Sequence, residues 1–277
     1  MIILLDISIF SWLEPPFMMR ALFALLLLAP TCGILGVHVI SRKMSFFTNT
    51  ISHSTFTGIA LGLLLGISTE WSTVIFGVLI AILIINLVGK SNLSVDTITG
   101  VLFSAVVSLG IVIVSAMGSV TEGFESALYG DILSVDKIDI IVIGTLLVAT
   151  LVFELMGFNK LIIIAINEQM ARAHGINIKL WETLLGIWVA VVILIGLRFV
   201  GLILITAMLI VPAAAGKNFS KSVGGAVGWS VIVAIVSSIT GLAGSYFLNS
   251  ATGPTVILAA TLFFMVSLIF SKKYSKL

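Results

Sequence analysis

Apolar segments follow one another along this chain at roughly 17–40, 49–66, 72–89, 98–118, 138–157, 181–198, 199–216, 223–248 and 254–271, with short polar breaks between them. Each is close to the ~20 residues that a helix needs to cross about 30 Å of hydrocarbon. In lipid, every backbone amide must be paired inside its own helix or in a closed barrel. Barrel strands alternate apolar and polar positions, and runs such as Leu25 to Leu28 do not. The expected fold is therefore all-α, a polytopic membrane protein of eight or nine transmembrane helices. Residues 1–277 are expected to form a single transmembrane domain. Only Arg198 separates the sixth and seventh segments, so one of them could be half-length or re-entrant.

Composition removes the water-soluble alternative. Charged residues are 9% of the chain, against about 25% in soluble domains. Too few charges remain to cover a surface in water, and the mean hydropathy of +1.28 agrees. The single Cys32 lies in an apolar run, where it reads as a small packing residue; one cysteine allows no disulfide within the chain. Met1 to Leu13 is apolar but lacks a basic region and a small-residue cleavage site, so it does not read as a cleaved signal peptide.

The basic residues set the orientation. With the turn holding Arg42 and Lys43 in the cytoplasm, 11 of the 14 Lys and Arg fall on that side, leaving Arg20, Lys137 and Arg198 outside. The positive-inside rule favours this arrangement, which puts the C-terminus in the cytoplasm. Of the 12 acids, eight (Asp6, Glu14, Glu70, Glu122, Glu125, Asp131, Asp136 and Asp139) fall in or beside outer segments. An acidic outer face would concentrate cations, and ordinary solvated loop charge would look the same.

Several activities lack their motifs. No Gly-x-x-x-x-Gly-Lys-Ser/Thr phosphate loop is present, nor a His-Glu-x-x-His or Gly-x-Ser-x-Gly sequence. The chain is therefore not expected to be an enzyme or to hydrolyse ATP itself. Few ionisable residues fall within the spans, which argues against the proton relay of a gradient-driven pump. His38 and Glu154 lie near span ends and are expected at the interface and headgroups.

The main intramembrane candidates are Asn49 and His53. Four residues apart, they share one helix face at about 5–6 Å between Cβ atoms. Imidazole nitrogen and amide oxygen could both ligate a transition-metal cation. The plainer reading is that both hydrogen-bond across a helix interface. Stretches such as Gly58–Gly62 and Ala213–Gly216 read as packing surfaces. Two cytoplasmic connections also stand out. Gly157 to Lys179 contains a short amphipathic helix, Asn167 to Gly175, with a glycine stop, and Ala213 to Gly225 is small, basic and glycine-rich.

Together these motifs resemble the permeases of zinc, manganese and iron ABC importers. The likeness rests on Arg42-Lys43-Met44-Ser45-Phe46-Phe47, Ile51-Ser52-His53, Gly58-Ile59-Ala60, Asp96 to Gly100, Tyr129 to Leu133, Ala171 to Ile176, and Val200 to Ala214, in order from about 17 to 271. The Ala171 to Ile176 stretch is similar to a loop of the related siderophore and cobalamin permeases. The resemblance implies a homodimer in the bacterial inner membrane, embedded in lipid, paired with two ATPase subunits and served by an extracytoplasmic metal-binding protein. It implies no cofactor held by this chain and no nucleic-acid partner. The main coupling helix would lie around Gly216 to Gly224, involving Gly216, Lys217, Asn218 and Lys221, with Arg172 and Gly175 at a second ATPase contact. Where the family usually carries aspartate in the metal path, this chain has Asn49. Asparagine keeps an oxygen ligand but loses a charge, which weakens capture of a divalent cation. The expected function is the permease of an importer for zinc or manganese, then iron. A stand-alone secondary transporter is the alternative; it would need mid-membrane ionisable groups and usually an internal repeat.

Overall fold

The structure, a computed structural model, describes residues 11–91, 93–117 and 130–274, and the side chains of 12–91, 93–117 and 130–269. The expectations for Asp6, Glu122, Glu125, Tyr129 and most of Met1 to Leu13 lie outside the described residues. Within them there is no strand. Nine long helices follow in order: α1 (Pro16–Ser41), α2 (Ser45–Leu65), α3 (Thr69–Val88), α4 (Val95–Met117), α5 (Lys137–Ile166), α7 (Ile178–Val200), α8 (Leu202–Phe219), α9 (Val223–Leu248) and α10 (Thr252–Tyr274). A short α6 (Glu168–Ala173) lies between α5 and α7.

Local chemistry sets the ends. Pro16 opens α1, where the missing amide hydrogen is not needed. Asp136 and Asp139 form a reciprocal capping box at the start of α5. The Asn167 side chain accepts from the amides of Gln169 and Met170 to start α6, and Gly175, at φ 69°, follows its end. The expected amphipathic helix with a glycine stop is thus present. Between α7 and α8 there is a single residue, Gly201, with φ 82° and ψ 165°, a conformation glycine adopts freely and side chains resist. Both flanking helices are long and apolar enough to span, so neither is a half-helix.

Eight helices meet the length and apolarity of a membrane span, and α2 is the ninth long helix that does not. Its Thr48, Thr50, Ser52, Ser54, Thr55 and Thr57 are nonetheless almost wholly buried. The Thr50 and Thr57 hydroxyls donate to the carbonyls of Thr99 and Val106 on α4, and Ser72 of α3 donates to the Gly58 carbonyl. Such polar residues are tolerated at membrane depth because they face protein. Gly58 also lets α3 approach: a Cβ there would sit 2.6 Å from the Thr73 backbone.

Two expected boundaries are corrected. Helix α5 continues to Ile166 instead of ending at 157, so the connection begins at Asn167. Residues 213–225 are not a free connector: they are the end of α8, a turn at Ser220 to Ser222, and the start of α9. Small side chains explain this, since a Cβ on Gly216 would lie 2.5 Å from the Ala226 carbonyl of α9. Cys32 is fully buried, as expected for a packing residue.

Candidate functional site

The polar helix α2 packs against α3, α4, α7 and α8. Phe46, Asn49, His53 and Leu63 mark its least covered strip, with Asn49 and His53 half-buried. The structure therefore places the two candidate ligands on one face, as their spacing requires. Phe103 of α4 stands beside them: the His53 ring meets it edge-on at 5.1 Å and 85°, and the Phe46 ring at 5.7 Å and 62°. Neither Asn49 nor His53 makes a side-chain hydrogen bond among the described residues. The helix-to-helix hydrogen bond that would have accounted for them is thus not made among the described residues. Imidazole nitrogen and amide oxygen remain open to a ligand, and the aromatic wall fixes how the imidazole is presented. Among the described residues, no three His, Cys, Asp or Glu side chains converge. Two groups supply only part of a cation's coordination shell.

His38 and Glu154 are placed differently from expectation. Instead of reaching the interface and the headgroups, they pair with each other between α1 and α5. His38 Nε2 lies 2.9 and 3.0 Å from the two Glu154 oxygens, with side-chain exposures of 3% and 13%. Burial without water forces the two polar groups together. No spacing rule could reveal it, because the partners are 116 residues apart.

The residues expected at the ATPase face are divided. Lys217, in the last turn of α8, and Lys221, within the Ser220–Ser222 turn, are exposed. Asn218 is turned inward and donates to the Ser267 hydroxyl of α10 at 2.9 Å, and Gly216 is buried against α9. The stretch is not a separate helix. Arg172 is exposed on α6, 3.6 Å from Glu168, and Gly175 makes the turn that follows. On the opposite end of the bundle, the described acids have local tasks. Asp131 caps a turn through the Leu133 amide, and Glu70 pairs with Arg198 at 2.8 Å. The backbone amides of Asp139 and Ile138 hold the Asp136 carboxyl below its usual range.

A bundle of long apolar helices packed around one polar helix defines a multi-pass membrane protein. Residues 14–271 match the ABC 3 transport family, and the chain belongs to that family. It is similar to the high-affinity zinc uptake system membrane protein ZnuB of Haemophilus influenzae, with 34% identity over 84% of this chain and 90% of that protein. It is also similar to the manganese import system permease protein ScaB of Streptococcus gordonii, with 33% identity over 93% of this chain and 92% of that one. Among solved structures, PsaBC from Streptococcus pneumoniae in complex with Fab superposes with a TM-score of 0.78 at 31% identity, covering 92% of each chain. A metal-chelate-type ABC transporter in an inward-facing conformation shares the fold, with a TM-score of 0.70 at 16% identity, over 92% of this chain and 85% of that one.

Proposed function

We propose that this chain is the membrane permease of an ATP-driven importer for zinc or manganese, and that residues 1–277 act as one permease domain. The observation that carries the proposal is the strip on α2. In a family of transport permeases, this chain leaves Asn49 and His53 without side-chain hydrogen bonds among the described residues, on the least covered face of the polar helix α2. Two copies packed with these strips facing would bring four ligand-type groups to a shared axis, enough for a transient cation site. A conduit needs binding weak enough to release, and an amide in place of a carboxylate suits that need.

The wider assembly follows from the same reading. A cytoplasmic ATPase supplies the energy, docking near Lys217, Lys221 and α6, and an extracytoplasmic metal-binding protein delivers the ion. The protein sits in the bacterial cytoplasmic membrane with its C-terminus inside, because the positive-inside rule places the Arg42 turn, α6 and the Lys217 end of α8 there. Relatives named for zinc and for manganese are about equally similar, so both metals stay in the proposal. Iron, expected third from the resemblance, gains no support from them.

Metal accumulation in cells lacking their own uptake systems tests this. Cells carrying the wild-type chain with its ATPase should accumulate zinc or manganese, and His53→Ala should abolish that while leaving the ATPase bound. Full accumulation by the variant would remove the site.

A further inference from the structure

Arg42 opens one of the sequence's distinctive stretches, yet it belongs neither to the ion-path pair nor to the exposed docking residues. Its guanidinium is buried. Nη1 donates to Glu182 of α7 at 2.9 Å, and Nη2 donates to the Leu161 carbonyl of α5 at 3.2 Å. Glu168 is the first residue of α6, the short helix that joins α5 to α7. Glu168 in turn pairs with Arg172. One turn earlier on α1, His38 holds Glu154, seven residues before Leu161, so two contacts bolt this end of α1 to α5.

The chain leaving Arg42 is short. Lys43 adopts a left-handed conformation (φ 55°), Met44 follows, and α2 begins at Ser45. Asn49 lies one turn further on. A two-residue connector has little freedom to absorb a displacement, so a shift at Arg42 reaches the polar strip of α2. Arg42 Nε is buried without a hydrogen-bond partner among the described residues, as are the Ser52 and Thr55 hydroxyls of α2.

We propose that Arg42 is a positioning residue that links the cytoplasmic ends of α5 and α7, the two helices that α6 joins, to the ion-path helix α2, its two-armed contact with Glu182 and Leu161 carrying movement from one to the other. The proposal rests on the reading of the chain as an ATP-driven permease. Arginine is required because its planar fork bridges two acceptors at once, whereas lysine offers a point charge.

The test uses the whole transporter, assembled with its ATPase and metal-binding protein in proteoliposomes. ATP hydrolysis and zinc or manganese uptake are measured in the same vesicles. Arg42→Lys and the near-isosteric Glu182→Gln should each keep assembly and most of the hydrolysis. Metal moved per ATP should fall about tenfold, inside the range of ordinary coupling energies. Combining the two changes should add little to either alone. An unchanged uptake-to-hydrolysis ratio in both variants would overturn the proposal. So would a parallel fall in hydrolysis and uptake, which would mark Arg42 as a fold anchor only. If the wild-type assembly showed no ATP-driven uptake at all, the permease reading itself would fail, a result distinct from either.

Discussion

Replacing His38 with leucine leaves the largely buried Glu154 carboxylate without its partner, with the Phe158 ring beside the vacated position. Breaking a buried pair by removing one partner costs about 3–5 kcal/mol. Glu154 keeps 13% exposure, so the lower end, about 3 kcal/mol, applies here. For a chain of 277 residues, that corresponds to a fall in Tm of about 5 °C. Glu154→Gln retains an acceptor for the imidazole and should cost about 1 kcal/mol, or roughly 2 °C. The double replacement His38→Leu with Glu154→Met removes both polar groups and restores volume, which is often near neutral in buried pairs. Its Tm should therefore return to within about 2 °C of the parent. Thermal unfolding of the detergent-purified protein, followed by the fluorescence of its five tryptophans, measures all four forms. Single replacements that leave the melting point unmoved would refute the reasoning. So would a double variant that loses as much as the two singles together.

Other perturbations report on different parts of the molecule. Gly36→Val should destabilise by about 3 kcal/mol, because a side chain there meets the Leu209 backbone carbonyl of α8 and forces two core helices apart; thermal unfolding measures it. Asn49→Asp adds a charge beside His53 and should lower KM for the transported metal about tenfold, equivalent to about 1.4 kcal/mol, while slowing turnover; an unchanged KM would take Asn49 out of the ion path. Lys217→Glu together with Lys221→Glu should reduce co-purification of the ATPase without moving Tm, since both side chains are exposed.

The helical count was legible because lipid imposes one rule on every segment, so length and apolarity alone give the spans. Residues 49–66, read as a span, lie in the long helix α2, which by apolarity does not qualify as one. Helix α5 runs on past the expected end at 157 to Ile166, and Gly157 is buried where the Trp181 ring would meet a Cβ at 2.7 Å. The shared face of Asn49 and His53 follows from helical spacing. Phe103, which walls that face, carried no signal of its own. Neither did the His38–Glu154 and Arg42–Glu182 pairs, whose partners are 116 and 140 residues apart. Contacts of that kind depend on how helices pack, which one chain's pattern does not encode.

The most direct measurement places the purified chain in proteoliposomes with and without its ATPase and follows zinc and manganese entry. Uptake should require both the ATPase and ATP, and should vanish in His53→Ala. Metal carried by this chain alone down a proton gradient would contradict the account.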